Sequence, residues 1–353
     1  MTYILGIDTS CDETSAAVLS GYTILSNTIS SQIELHKPYG GVFPTVAKLA
    51  HQENIQPVIA TALKAAHLKI ENLDAVAVTI GPGLAPALEI GIRAAKELAQ
   101  KQQLPLIGIN HLEGHLLSPL AQANSTSKQT FKFEFPVLGI LVSGGHSQFI
   151  KMDQVGKYEI IGETLDDAAG ECLDKIGRLL NLGYPAAPVI EQLAKTGDSQ
   201  VFPFPLPLTT RYDYDLSFSG LKTYARNLIG KMDDKKLDRQ TLANLAASSQ
   251  AGVFRHLTYK LDKLLNYYQN SPAQTPFKTI FVGGGVAQNV CFRTLVRKVA
   301  AKYELPIHFP YNKRLCGDNA AMIALAALWH YQNHHFADIQ ALERQPNLNF
   351  KKS

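Results

Sequence analysis

Several features are missing from this chain, and each absence removes a class of protein. No apolar run approaches the roughly 18 residues that a membrane span needs. The opening stretch, MTYILGIDTSCDETS, has no basic segment and no long apolar core, and its acids come early at Asp8, Asp12 and Glu13. A secretory leader is therefore not expected. The four cysteines, Cys11, Cys172, Cys291 and Cys316, form no CxxC pair, and they read as reduced thiols of a cytoplasmic protein. A dominant charge is absent too: 34 Lys and Arg against 30 Asp and Glu leave a formal net charge of +4. That balance permits nucleic-acid contact without demanding it, and no basic stripe interleaved with aromatics is present. The run KMDDKKLDR (231–239) mixes signs and reads as a solvated helix face. No Walker A motif and no GxGxxG follows any expected strand.

What is present is globular. The chain has 353 residues, of which 46% are hydrophobic, enough for two domains or one large bilobal unit. YILGID (3–8) is a compact apolar run ending in small polar residues, a strand and turn, with TSAAVLS (14–20) as its hairpin partner. The pattern returns at VLGILVSGGHSQFIKM (137–152). Aligning LGIDTS (5–10) with LGILVS (138–143) matches Leu, Gly, Ile and the final Ser, which points to one strand-turn-strand unit repeated in two related lobes facing a cleft. Between them, LDAVAVTIGPG (73–83) reads as strand and turn, LEIGIRAAKELAQ (88–100) as helix, and PLIGIN (105–110) as strand. That is α/β grammar with parallel pairing. The second half repeats it: helix at ECLDKIGRLLNLG (171–183), strand at KTIFVGGG (278–285), helix at 286–303, and a largely buried helix at GDNAAMIALAALWHYQ (317–332). Pro203, Pro205 and Pro207 forbid a helix in 196–220, which reads as an ordered loop. The expected division is an N-terminal lobe over 1–123, a polar linker NSTSKQT (124–130), a C-terminal lobe over 131–335 and a tail over 336–353, frayed at QPNLNFKKS.

The richest chemistry lies in NHLEGH (110–115). Asn110 ends a strand and can cap a helix. If a helix starts at 111, His111 and His115 lie about 40° apart around its axis, spaced for one metal ion. A zinc peptidase would carry glutamate directly after the first histidine, as in HExxH. Leu112 stands there instead, and Glu113 lies about 200° from His111, on the far side. The alternative, two unrelated histidines at a helix start, stays open. Asp318, at the start of the 317–332 helix, is a candidate third ligand, although an acid there is often only a cap. Two histidines and a carboxylate would suit Fe(II) or Zn(II) with open positions for substrate. SGGHS (143–147) and GGGVAQN (283–289) are glycine-rich turns leaving strands, where phosphates can approach backbone N–H groups. Asp174 could hold a substrate hydroxyl or pair with Arg178 four residues on.

Taken together, these stretches resemble the universal tRNA threonylcarbamoyladenosine-forming family, bacterial form TsaD, formerly labelled glycoprotein endopeptidases. The matching segments are LGIDTSCDETSAAV, HKPYGGVFP, IGPGLAPAL, NHLEGH, LVSGGHSQ, DDAAGECLDKIGRLLNLGYP, DLSFSGLKT, GGGVAQN and CGDNAAMIA, in the family's order over about residues 4 to 324. The resemblance implies an α/β chain with the two-lobed, actin-like and sugar-kinase-like ATPase fold and a nucleotide cleft between lobes. It implies that His111, His115 and Asp318 bind one divalent ion per subunit, iron or zinc. It implies that Leu141, Val142, Ser143, Gly144, Gly145, Asp174, Ala187, Glu191 and Asn289 contact an adenylate substrate. The implied reaction moves a threonylcarbamoyl group from threonylcarbamoyl-AMP to N6 of adenosine 37 in tRNAs reading codons that begin with A. The implied partners are tRNA, a paralogous subunit and a small ATPase, with no membrane. Asp12 and Glu13, beside the first turn, are candidates for the general base.

The chain departs from the family pattern in three places. Pro185-Ala186-Ala187-Pro188 stands where the family usually has Pro-Gly-Gly-Pro, and the added methyl groups narrow a substrate wall unless the backbone keeps φ below zero. Thr45 to Leu49 replace a usual Glu-Ala-Ser-Arg start of a helix, and Gly317 replaces a threonine beside the retained Asp318. Two rivals share the fold: an ATPase or sugar kinase, and a catalytically weak scaffold paralogue. A metallopeptidase is the third.

Overall fold

The computed structural model describes residues 1–123, 133–232 and 238–352. The expected linker and the middle of the 231–239 run lie outside the described residues. In chain order the strands and helices are β1 (Tyr3–Asp8), β2 (Glu13–Ser20), β3 (Thr23–Ser31), α1 (Ile33–His36), α2 (Pro44–Ala65), β4 (Ala75–Gly81), α3 (Ala85–Gln102), β5 (Leu106–Asn110) and α4 (His111–Leu117). There follow β6 (Val137–Val142), β7 (Ser147–Gln154), β8 (Lys157–Glu163), α5 (Ala169–Leu179), α6 (Ala187–Ala194), α7 (Ser219–Ile229), α8 (Arg239–Asn270), β9 (Thr279–Gly283), α9 (Val290–Lys302), β10 (Ile307–His308), α10 (Ala320–Gln332) and β11 (Lys351–Lys352).

The chain divides into two compact units. Unit 1 is Met1–Lys132 with Phe309–Phe350, and unit 2 is Phe133–His308 with Lys351–Ser353. This corrects the expected lobes at their C-terminal side: residues 309–335 belong to unit 1, not to a lobe over 131–335. The reason is apolarity on every face of α10, whose residues Ala320 to Leu328 are all buried. Such a helix must be covered all round, and it packs on β1, β2, β4 and β5 and against α4. The tail is not frayed either. Gln345 N donates to Ile80 O at 2.6 Å, Gly83 N donates to Pro346 O at 3.1 Å, and β11 pairs in parallel with β8.

Each unit is built on one sheet, and the two sheets share a topology. The unit 1 order is β3-β2-β1-β4-β5; that of unit 2 is β10-β9-β6-β7-β8, with β11 added at the β8 edge. In both, three antiparallel strands are followed by a parallel pair on the far side of the first strand. The LGIDTS and LGILVS stretches therefore fall at equivalent places, each the first strand of its unit and the turn after it. β1 and β6 are central and buried on both faces, which is why they read as continuous apolar runs rather than alternating ones.

Period-two alternation sorts β1 between the two faces of its sheet. Leu5 and Ile7 enter a core shared with Val58 and Ile59 of α2 and Leu88 and Ala95 of α3. Gly6 and Asp8 face the other way, toward α10. A Cβ on Gly6 would lie 2.4 Å from Ala320 O and 2.9 Å from Ala324 Cβ; the glycine is what lets helix and strand approach. In unit 2 the irregular stretch expected at 196–220 contains no helix before Ser219. It is pinned to α8 by buried Phe204, which packs on Gly252, and by Arg255, which donates to Phe204 O.

Two outcomes follow. Gly6→Ala should destabilise the protein by about 1–3 kcal/mol in denaturant unfolding, because its obstacle is backbone that cannot rotate away; an unchanged midpoint would mean that α10 sits farther from β1. The second concerns buried His256, whose Nε2 accepts from Ser217 N at 3.1 Å. Burial, then the neighbouring Lys260 ammonium, lower its pKa to about 4. Below its ordinary value the unfolded chain takes up a proton that the folded chain refuses. Stability is then complete above pH ~6.5 and falls by up to about 3 kcal/mol as pH drops toward 4. Replacing His256 with Gln should flatten that slope in unfolding measured between these limits.

Candidate metal and adenylate sites

Unit 1 brings the three expected ligands together. Asn110, the last residue of β5, accepts from Leu112 N at 2.9 Å and caps α4, so His111 and His115 stand one turn apart on one side. Their ring centroids are 4.6 Å apart. Asp318 is not a helix cap, contrary to the ordinary role of an acid there. Asn319 does the capping, accepting from Met322 N at 3.2 Å, and helix α10 begins after it. Asp318 is thereby left to face the histidines. Its Oδ1 lies 3.1 Å from His115 Nε2 and 3.4 Å from His111 Nε2.

The glutamate of NHLEGH points away, as the helical geometry predicts. Glu113 is buried and its Oε2 meets His330 Nε2 of α10 at 3.0 Å. It is not placed to activate a water beside His111 and His115, so the peptidase reading loses its base. The same pair ties α4 to α10, and a Cβ on Gly114 would come within 3.1 Å of Ile323 and Met322 side chains. The ligand-bearing ends of the two elements are thus held by their packing further along.

The electrostatics are those of a buried cation site. Burial opposes charge on His111, but Asp318 and Asp8 outweigh it and push its pKa up to about 10. Burial, together with the His111 charge, pulls His115 down. Burial works against ionisation of Asp318, yet the two imidazoles hold it well below the ordinary carboxylate value. An ionised oxygen and a neutral imidazole are ready donors, and a metal would displace the proton of His111. The geometry fits as well. Ligands at about 2.0–2.2 Å around a tetrahedral ion stand about 3.4 Å from one another. His111, His115 and Asp318 can therefore hold a metal ion.

Asp12 and Glu13 lie next to this site at the β1–β2 turn. Burial, then Asp318 and Asp12, push the Glu13 carboxyl up to about 10. The turn is anchored from behind by His51 of α2, which is buried, bonds Thr14 Oγ1 at 2.8 Å and meets Cys11 O at 3.1 Å. The altered start of α2 leaves Thr45, Lys48 and Leu49 exposed and only Ala47 buried.

Unit 2 gathers the remaining residues into one contiguous set. Leu141 and Val142 bury their side chains in β6, so what they offer a ligand is backbone. Ser143 to Gly145 form the turn. Ser143 Oγ accepts from Gly145 N at 3.3 Å and His146 N at 3.1 Å, and a Cβ on either Gly144 or Gly145 would meet nothing within 4 Å. Helix α5 starts on this turn, with Gly170 N 3.3 Å from Ser143 O. One turn along α5, Asp174 Oδ1 accepts from Ala186 N and Ala187 N, each at 2.8 Å, and so holds the start of α6. Glu191, on α6, accepts from Val290 N at 2.8 Å. Asn289 caps α9 through Phe292 N at 3.0 Å and donates to Gln250 at 2.7 Å. That cap is why the helix expected from 286 begins at Val290.

The alanine pair does not narrow this set in the expected way. Ala186 has φ −92° and ψ −25°, an ordinary helical conformation, and Ala187 is the first residue of α6. Ala186 is fully buried, with its methyl directed at Gly177.

The family model for TsaD, tRNA N6-adenosine threonylcarbamoyltransferase, matches residues 23–325. The chain belongs to this family. A relative from Microcystis aeruginosa (strain NIES-843 / IAM M-2473), named tRNA N6-adenosine threonylcarbamoyltransferase, is 44% identical over 346 residues, covering 96% of this chain and 95% of the relative. A relative of the same name from Lactiplantibacillus plantarum (strain ATCC BAA-793 / NCIMB 8826 / WCFS1) is 43% identical over 356 residues, covering 98% and 95%. Among solved structures, HypF of T. kodakarensis matches with a TM-score of 0.59 at 14% identity, covering 97% of this chain and 49% of that one. Component A of (R)-2-hydroxyglutaryl-CoA dehydratase from Acidaminococcus fermentans matches at 0.50 with 16% identity, covering 95% and 100%. These likenesses give the fold, the α/β actin-like and sugar-kinase-like type expected from the sequence.

Sequence reasoning passed over Asp8, His51 and the Glu113–His330 pair. Only Asp8 carried a signal, as the polar end of the β1 face that Gly6 opens. For the alanine pair, Ala186→Gly should leave adenylate affinity unchanged and cost about 1 kcal/mol of stability, the value of a buried methyl plus added backbone freedom. Tighter adenylate binding in that variant, measured by calorimetry, would show the methyl to be in the ligand's way.

Proposed function

We propose that the chain performs a metal-dependent acyl transfer, with threonylcarbamoyl-AMP as donor and adenosine 37 of tRNAs reading ANN codons as acceptor. As a member of its family it is a transferase that modifies N6 of adenosine in tRNA. The observation that carries the finer reading is the pair of imidazole Nε2 atoms 3.1 and 3.4 Å from one oxygen of Asp318. A bound Fe(II) or Zn(II) would supply a Lewis acid for the threonylcarbamoyl oxygens.

The protein's own residues have distinct tasks. His111, His115 and Asp318 hold the ion. The Ser143–Gly145 turn, open above both glycines and followed at once by the N-terminus of α5, offers N–H groups and positive potential to the adenylate phosphate. Asp174 and Glu191 fix the start of α6 and the 289–290 backbone, and with Ala187 and Asn289 they frame the adenosine. The adenosine amine forms a bond to the carbamoyl carbon, the carbamoyl–phosphate C–O bond breaks, and AMP leaves with that electron pair. A neutral exocyclic amine is a weak nucleophile, so positioning contributes much of the rate. Asp12 and Glu13, beside the turn after β1, are the candidates to take the proton it loses.

The family resemblance further supports a paralogous partner subunit and a small ATPase as companions. A cytoplasmic location belongs to the same reading. Among the described residues no helix is long and apolar enough to cross a membrane.

Transfer of labelled threonylcarbamoyl to tRNA, with partner subunits present, tests the reading. Label should appear on adenosine 37, vanish on chelation and return with iron or zinc. His111→Ala should reduce transfer by at least about a hundredfold while unfolding cooperatively like the parent. Undiminished transfer by metal-free protein would end the metal-dependent mechanism.

A further inference from the structure

We propose that Asp8 is a positioning residue for the metal site: its carboxylate takes the Nδ1 hydrogen of His111 and so turns the Nε2 lone pair toward the ion. The inference rests on the metal reading above. Asp8 is the last residue of β1 and shares with Gly6 the strand face that meets α10. It is fully buried. Its two oxygens have different surroundings. Oδ1 accepts from Ser10 N at 3.2 Å, inside its own turn, whereas Oδ2 is buried with no hydrogen-bond partner. The facing atom, His111 Nδ1, is also buried with no partner, and the two lie 3.6 Å apart.

Two unmet polar atoms at this depth are unfavourable. A movement of a few tenths of an ångström joins them and meets both needs. The chemistry then selects a tautomer. A neutral imidazole carries one N–H. With the hydrogen on Nδ1, a carboxylate oxygen receives it and Nε2, 3.4 Å from Asp318 Oδ1, keeps its lone pair for a metal. With the hydrogen on Nε2 it would face Asp318 while the Nδ1 lone pair faced Asp8, so the two carboxylates draw the hydrogen in opposite directions. Asp8 favours the form of His111 that can ligate, the role that an outer carboxylate plays for metal-bound histidines in general. His115 has no equivalent, since its Nδ1 is buried without a hydrogen-bond partner. The two imidazoles are unequal: both meet Asp318 through Nε2, and His111 also faces an anion at Nδ1. Asp8 also brings a second carboxylate near a divalent ion, which lowers the net charge left inside the protein.

The test titrates zinc(II) and cobalt(II) into the full chain, Asp8→Asn and Asp8→Ala, in competition with a chromophoric chelator. Imidazole nitrogen NMR of the zinc-loaded proteins and thermal unfolding of the metal-free ones accompany it. Asp8→Ala is expected to weaken zinc binding roughly 10- to 100-fold, and Asp8→Asn, whose amide oxygen can still accept, by less. In the zinc-loaded parent the His111 Nδ1–H should carry the signature of a hydrogen bond to a carboxylate, and Asp8→Ala should lose that signature. Metal-free Asp8→Asn should unfold near the parent temperature, which separates orientation of a ligand from general structural support. Zinc affinity within about twofold of the parent in Asp8→Ala, or an unaltered His111 spectrum in that variant, would overturn the proposal. If Asp8→Ala does not fold, Asp8→Leu, which fills similar space but has no acceptor, decides by the same two readouts. A parent that binds neither metal would remove the metal reading itself and this inference with it.

Discussion

One carboxylate oxygen, Asp318 Oδ1, is approached by two buried imidazoles, and unit 1 is organised around that meeting. An ion in such a place is costly unless compensated on every side. The compensation arrives from three separate segments of chain: the end of β1, the first turn of α4 and the residue before the cap of α10. None of the three can be fixed by local preference alone. β1 is fixed by the sheet, α4 by its Asn110 cap and by Glu113 on His330, and α10 by the glycine at position 6 that lets it lie on the strand. The apolar packing of the unit is thus the reason that polar groups end within a few ångströms of each other.

Unit 2 solves a different problem with different means. Its set is made largely from backbone, with side chains spent on holding that backbone still. Asp174 binds two N–H groups at the start of α6, Glu191 binds one at Val290, and Asn289 caps α9 while joined to Gln250. Glycines 144 and 145 then leave the turn uncovered. A site of this kind depends on short connections and capped helices more than on any single reactive group, and it suits an anion that must be held and then released.

Much of this was legible before any coordinates. The 3.6-residue period placed His111 and His115 together and sent Glu113 away, and both statements hold because the helix starts where Asn110 caps it. The strand-turn-strand repeat, resting on four matching residues, corresponds to a shared order of strands. Other features were hidden for physical reasons. The place of α10 depends on which sheet offers an apolar face, a tertiary matter that chain order does not reveal, and so the C-terminal boundary was drawn wrongly. Asp174 read as a holder of a substrate hydroxyl or as a partner of Arg178, and the backbone N–H groups it accepts at the start of the next helix were not foreseen. Asp318 read equally well as a cap until Asn319 was seen to do that work. Asp8 stood in plain view, but its meaning required the far side of β1 to be known.

The shared topology has a consequence for how the two halves could have come to differ. The turn after β1 and the turn after β6 occupy the same place in equivalent sheets. One now carries Asp8, Asp12 and Glu13, and the other carries Ser143, Gly144 and Gly145. In equivalent places, one turn is rich in acids and the other is reduced to one small side chain and two glycines. The first can then tolerate changes of backbone detail but not of charge, and the second the reverse. Equivalent turns thus become two instruments with opposite mutational sensitivities, and an inventory of tolerated substitutions across both should be asymmetric even though the order of their strands is shared.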